Sequence, residues 1–141
     1  MGSDKIWLFD TTLRDGGQTR GVDFSRADKV AIAHALDDIG IDYIEAGWPG
    51  ANPTDDAFFA KPPKMKNAKL VSFGMTRRGG RSTANDPGLS AVIDAEVDAS
   101  CLVGKTWDFH VKTALNTTLD ENLEMIRQSL IAAADRGREP M

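Results

Sequence analysis

The chain has 141 residues, 41% of them hydrophobic and 27% charged, with a formal net charge of −4. That composition supports a real core and excludes a disordered chain, while the acidic balance offers no broad positive surface for nucleic acid or anionic lipid. A single cysteine, Cys101, precludes an intramolecular disulfide and fits a reducing compartment, and no apolar run approaches the roughly 20 residues that span a bilayer.

Met1 to Lys5 lack a signal peptide's apolar region, so a soluble cytoplasmic protein is expected. Ile6-Trp7-Leu8-Phe9 reads as a buried first strand, and the loop that leaves it places Arg14 beside Asp15. A guanidinium fork grips an oxyanion or carboxylate, and the neighbouring carboxylate suits a hard divalent cation. A helix is expected next: Ser25 is an N-cap with Asp28 three residues on, and Ile32, Ala35, Leu36 and Ile39 form its apolar stripe before Gly40 closes it. His34 lies off that stripe and should meet solvent.

The second strand, Tyr43 to Ala46, carries Glu45, a charge costly to bury unless partnered, and Arg14 is the partner within reach. A structural ion-pair network tying strand ends together is the alternative reading of Arg14, Asp15 and Glu45. The loop from Gly47 to Pro53 either lets backbone amides approach a ligand or is a plain tight turn. Thr54 caps a short helix through Phe59 that Pro62 and Pro63 stop.

Leu70 to Phe73 form the third strand, followed by a basic cluster from Thr76 to Arg81, a solvated loop by default or a neutraliser of nucleotide phosphates. Asp86 and Pro87 open a helix through Leu89, Ala91, Val92 and Ile93. Ser100 to Val103 form the fourth strand, where Cys101 is expected as a small buried residue with no base beside it. His110 falls in the loop after that strand, either as a ligand or proton donor or as a local contact. Thr118 and Glu121 make a capping box for the last helix, with Leu119, Leu123, Ile126 and Leu130 as its apolar stripe and Arg136-Gly137 at its end.

The four strands begin about 30 residues apart, the length of a βαβ unit, and none shows the alternation of a sheet with a wet face. An α/β fold with a parallel sheet follows, as one domain over residues 1–141. Both a doubly wound sheet and a (β/α)₈ barrel fit. The Gly-rich loop of dinucleotide binders is missing after the first strand, which favours the barrel. A complete barrel needs roughly 250 residues, so 141 residues holding four β/α units would be half of one, an incomplete TIM barrel. Neither H-x-H, H-E-x-x-H nor C-x-x-C occurs, so no full metal site can be assembled from such motifs.

The run from Leu8 to Gln18, with Tyr43 to Pro53, Phe73 to Arg78 and Gly104 to Val111, resembles the DRE-TIM metallolyases. Within them it is most similar to the citramalate synthase branch, with the 2-isopropylmalate and homocitrate synthases as relatives. The resemblance runs over nearly the whole chain and implies a TIM-barrel acyltransferase of isoleucine biosynthesis that condenses acetyl-CoA with a 2-keto acid, pyruvate for that branch. It implies Asp15 as a ligand of a divalent cation (Mg²⁺, Mn²⁺ or Zn²⁺) and Arg14 as the group polarising the keto oxygen. Gln18 joins Arg14 on the substrate, and Glu45 positions Arg14 or the substrate.

The family's two histidine ligands come from an H-x-H on a later strand, so the chain by itself is expected to turn over little or not at all. A half barrel would also expose strand edges and an apolar inner face, from which self-association or a separately supplied second half is expected. The competing readings are a non-catalytic, self-associating half-barrel module and a retro-Claisen lyase of the same superfamily.

Overall fold

The computed structural model describes residues 5–141; Met1 to Asp4, part of the stretch read for a leader, lie outside the described residues. Five strands, β1 (Phe9–Asp10), β2 (Tyr43–Gly47), β3 (Lys69–Met75), β4 (Ala99–Val103) and β5 (Glu139–Pro140), form one sheet in the order β1-β2-β3-β4-β5. All four pairings are parallel. Sequential order without reversal is the winding of a barrel wall, since a doubly wound sheet reverses at a switch point. The α/β expectation and the incomplete barrel hold, because the sheet does not close among the described residues.

Helices α1 (Arg26–Asp38), α2 (Pro53–Phe59), α3 (Pro87–Asp94), α4 (Asp108–Thr113) and α5 (Leu119–Asp135) fill the connections. Along each strand, side chains alternate between an outer face under the helices and an inner face. Ile44, Ala46 and Leu70 point outward into a core completed by Leu13, Ala33, Phe58 and Phe59. Tyr43, Val71 and Ala99 point inward and pack with Cys101. Fully burying a side chain such as Leu13 or Ile44 stabilises by about 1.5–3 kcal/mol, so this double-sided burial explains the unbroken apolar strands. Gly74 lets α3 settle onto β3, because a Cβ there would run into Val92.

Several local expectations are corrected. The Ile6–Phe9 run is not a buried strand: Ile6 is 81% exposed, Trp7 54% and Leu8 50%, and pairing begins only at Phe9. Among the described residues β1 has one strand neighbour, so its apolar residues lack a cover.

Ser25 and Asp28 do form the reciprocal capping box, but α1 buries Lys29, Ala33 and Asp37, with Ile32 and Leu36 half-buried and Ile39 exposed. Two ionic residues displace the apolar stripe because each has buried partners; the Asp37 carboxylate accepts the amides of Lys66, Asn67 and Ala68 at 2.6–2.9 Å.

Helix α2 is capped by Asn52, which accepts from the Asp55 amide, with Pro53 in its first turn; Thr54 lies inside the helix. Asp86 caps α3 as expected, accepting from the amides of Gly88 and Leu89. The segment holding His110 is the short helix α4, not a loop. In α5 Thr118 accepts from the Glu121 amide, while the Glu121 carboxylate accepts from Arg77 instead of closing the capping box. Its buried residues are Asn122, Met125, Ser129 and Ala133, leaving Leu119 and Leu123 exposed.

At the end of the sheet where strands begin, the Tyr43 hydroxyl donates to Glu139 at 2.8 Å and Lys69 to the same carboxylate at 2.6 Å. These bonds, Lys69 first, hold the Glu139 carboxyl below its ordinary range. They link β2 and β3 to β5 across the inner face of β4.

Candidate functional site

Towards the opposite end, where the strands finish, Arg14, Asp15 and Glu45 come together. After β1 the backbone turns tightly, with the amides of Arg14, Asp15 and Gly16 all donating to the Thr11 carbonyl at 2.8–3.2 Å. The Asp10 carboxylate is taken up locally by Thr12. Leu13, 1% exposed, anchors this turn in the outer core and leaves Arg14 on the inner side.

Arg14 Nε donates to Glu45 Oε2 at 2.6 Å and Arg14 Nη1 donates to Asp15 Oδ1 at 2.9 Å. The guanidinium lies over the Phe73 ring, 4.1 Å from its centroid, and Trp48 packs edge-on against the same ring at 5.3 Å. A guanidinium has five N–H donors, and these bonds use two of them, so the fork keeps donors for a ligand. The Glu45 side chain is only 2% exposed, that of Asp15 61%. Two carboxylates of one trio therefore sit in opposite environments. The buried one is fixed by the arginine, and the exposed one still has an oxygen open to an incoming group.

Gln18, in a 3₁₀ turn at Gly16–Gln18, borders a cleft of about 210 Å³ together with Arg14, Phe24, Lys29, Trp48 and Asn52. A larger hollow, about 770 Å³, lies between the loops after β3 and β4 and the start of α5, with Arg78, Lys105, Asn116 and Thr117 on its wall. All four residues singled out for the site, Arg14, Asp15, Gln18 and Glu45, thus share one end of the sheet.

The other candidates fare differently. Three amides of the Gly47–Pro53 loop are taken up within the chain, Trp48 by Asp55 at 2.9 Å, Gly50 by Asp56 at 2.7 Å and Ala51 by the Trp48 carbonyl at 3.1 Å, so these three are not open to a ligand. Arg77 is not a solvated loop residue: it is 4% exposed and donates to Gln128 at 2.7 Å and Glu121 at 2.8 Å, while Arg78 and Arg81 are exposed. His110 is exposed on α4 against the Trp107 ring at 4.6 Å, and His34 is exposed as expected. Sequence reading missed the Phe73 platform and the buried pair of Lys29 with Asp55. A lysine at the centre of a helix's buried face was the available signal.

Cys101 is half-buried on the inner face rather than fully buried. Burial first, and then the neighbouring Glu45 charge, push its thiol up to about 11. Since the thiolate is the nucleophile, alkylation by iodoacetamide at pH 8 should run roughly two orders of magnitude slower than for a free cysteine, and still be rising at pH 10. A rate that levels off near pH 8.5 would contradict this.

The trio does not by itself fit a divalent cation. Among the described residues no three His, Cys, Asp or Glu side chains come together to hold a metal ion, and Asp15 offers a single carboxylate. Affinity for such ions comes from ligand count, so one carboxylate makes a poor site.

A family model described as HMGL-like matches residues 5–140. The (R)-citramalate synthase of Aquifex aeolicus (strain VF5) is 52% identical over 130 residues, 91% of this chain and 25% of that protein. That of Geobacter sulfurreducens is 53% identical over 127 residues, 89% of this chain and 24% of that protein. A homocitrate synthase of Methanopyrus kandleri is 35% identical over 135 residues, 95% of this chain and 32% of that protein. The chain spans about a quarter of the length of the citramalate synthases it matches. Among solved structures, the hydroxymethylglutaryl-CoA lyase of Pseudomonas aeruginosa superposes with a TM-score of 0.72 at 20% identity, over 96% of this chain and 44% of that one. At that identity the likeness is one of fold.

Proposed function

Since the chain belongs to the HMGL-like family, the DRE-TIM group, we propose that it is the N-terminal half of the barrel of a citramalate synthase, an acyltransferase joining acetyl-CoA to pyruvate. The observation that carries this reading is the Arg14 fork, held from behind by Glu45 at 2.6 Å and flanked by Asp15, on the inner face where barrel strands finish.

In this reading the unused Arg14 donors grip the keto oxygen of the 2-keto acid and draw electrons from its C2. When the acetyl-CoA enolate attacks C2, the keto oxygen becomes an alkoxide, and the same donors take up its charge. Glu45 contributes by position: its buried carboxylate fixes the guanidinium plane so that no reorganisation is needed as charge develops. Hydrolysis of the thioester then makes the condensation irreversible. Gln18, at the lip of the cleft, contacts the substrate, and Arg78 and Lys105 are the basic groups available to acetyl-CoA phosphates. Asp15 would supply one carboxylate to a divalent cation (Mg²⁺, Mn²⁺ or Zn²⁺), with the other ligands from the part of a full-length synthase that this chain does not span.

The test is a segment swap. This chain replaces its matching segment in the Aquifex aeolicus enzyme, and thiol release from acetyl-CoA is followed with pyruvate. Turnover with pyruvate is expected; a folded chimaera that ignores pyruvate but cleaves a 3-hydroxy-3-methylglutaryl thioester would establish the lyase alternative instead.

The reading extends to partners and place: a soluble cytoplasmic synthase that self-associates or joins the rest of its barrel. Among the described residues no helix is long and apolar enough to cross a membrane. Ile6, Trp7 and Leu8 are exposed beside β1, an apolar edge that invites pairing. Light scattering on the purified chain should give a mass of two or more copies, and a monomer at high concentration would count against self-association.

A further inference from the structure

We propose that Lys29 and Asp55 are positioning residues for Glu45, clamping a backbone bulge in β2 that aims its carboxylate at Arg14. The proposal rests on the functional reading above only for what Glu45 serves.

In the β2–β3 ladder Tyr43, Ile44 and Glu45 run in step with Lys69, Leu70 and Val71, but Gly47 then faces Ser72, leaving Ala46 without a counterpart. Bulges are rare between parallel strands, and where they occur beside an active site they bend the strand and re-aim a side chain. Ala46 is fully buried, so its carbonyl needs a donor within the protein. Lys29 Nζ supplies one at 2.9 Å. Lys29 is itself only 4% exposed, and its charge is met by Asp55, 6% exposed, in a direct hydrogen bond.

The second oxygen of Asp55 accepts the Trp48 amide at 2.9 Å and the Asn52 side-chain amide at 3.0 Å. One ion pair thus holds the backbone on both sides of Gly47, the Ala46 carbonyl before it and the Trp48 amide after it. Gly47 has φ +152°, and a Cβ there would come within 2.6 Å of the Asp55 carboxyl carbon, so the clamp sits against bare backbone.

Energetics favour reading this as more than packing between α1 and α2. A buried ion pair stabilises no better than well-packed hydrocarbon of similar volume, so packing alone does not account for a lysine here. The bulge does, because it leaves a carbonyl and an amide unpaired at one point of the strand. Immediately before that point stands Glu45, whose carboxylate meets Arg14 at 2.6 Å.

Hydrogen exchange of the ¹⁵N-labelled chain tests the clamp, read at the Arg14 Nε–H and at the Trp48 amide by NMR. In the unmodified chain both should exchange through one shared local opening with a common denaturant dependence, while the Phe73 and Leu102 amides of the central strands open separately. Independent opening of Arg14 Nε–H and Trp48 would overturn the proposal.

In Lys29→Gln the Arg14 Nε–H should exchange at least about tenfold faster than the general loss of stability, read from the Phe73 and Leu102 amides, accounts for, and Lys29→Arg should restore most of it. Wild-type Arg14 protection in folded Lys29→Gln would also overturn it; should that variant not fold, the comparison within the unmodified chain decides. No turnover is measured, so failure here is separate from failure of the condensation assay.

Discussion

Lys29→Met is expected to lower the unfolding free energy by about 3–5 kcal/mol, the usual cost of deleting one partner of a buried pair. The loss has two parts. Asp55 stays inside as an uncompensated carboxylate, and the Ala46 carbonyl loses its donor. Methionine fills nearly the same volume, so no cavity confuses the result. Urea titration followed by the tryptophan signal measures the effect, and the midpoint temperature should fall by roughly 10 °C or more. Lys66→Met is the control: its pair with Asp38 stands in solvent, with both side chains more than half exposed, and no measurable change is expected. A change below about 1 kcal/mol for Lys29→Met would mean that water reaches the site and that the pair is not clamped as described.

Arg14→Lys, made in the citramalate synthase chimaera, is expected to reduce kcat with pyruvate by roughly 10²–10³-fold, as found when a positioned donor to a developing oxyanion is removed. Lysine keeps the charge beside Glu45, which limits the damage to folding. What it loses is the fork: one ammonium cannot meet Glu45, meet Asp15 and present further donors in a fixed plane. The stack on Phe73 at 4.1 Å is lost as well. A matched denaturation curve would show that the fold survives. A fall smaller than about fivefold would remove Arg14 from the charge-stabilising role, since general steric disturbance alone accounts for that much.

Much of this molecule could be read from its chain. The spacing of apolar runs predicts the order of strands and helices, and the charge of Glu45 within an apolar strand points to Arg14 as its partner. Those inferences succeed because they depend on local chemistry: a cap, a glycine, a strand that tolerates no water. The errors on the helix faces have a common origin. The expected stripes of α1 and α5 rest on apolar residues alone, whereas the buried faces hold Lys29, Asp37, Asn122 and Ser129, each hydrogen-bonded to a partner distant in sequence, Asn122 through its Nδ2 only. Periodicity cannot register a polar side chain whose acceptor lies many residues away. Arg77 was misread for the same reason, its partners Glu121 and Gln128 lying on another element. Phe73 showed only as one of several apolar strand residues, because its service as a rest for Arg14 depends on two loops meeting above it.

The bond set joining Tyr43, Lys69 and Glu139 has a consequence for how this scaffold can change. It braces β2, β3 and β5 at the rim where strands enter, whereas Arg14, Asp15 and Glu45 meet towards the rim where they leave. Cross-strand bracing and the Arg14 cluster thereby sit at separate rims of the same surface. Loops at the rim where strands leave can therefore be lengthened, shortened or recharged without disturbing the bonds at the opposite rim, and substitutions at Tyr43, Lys69 or Glu139 should alter durability while leaving the Arg14–Glu45 contact in place.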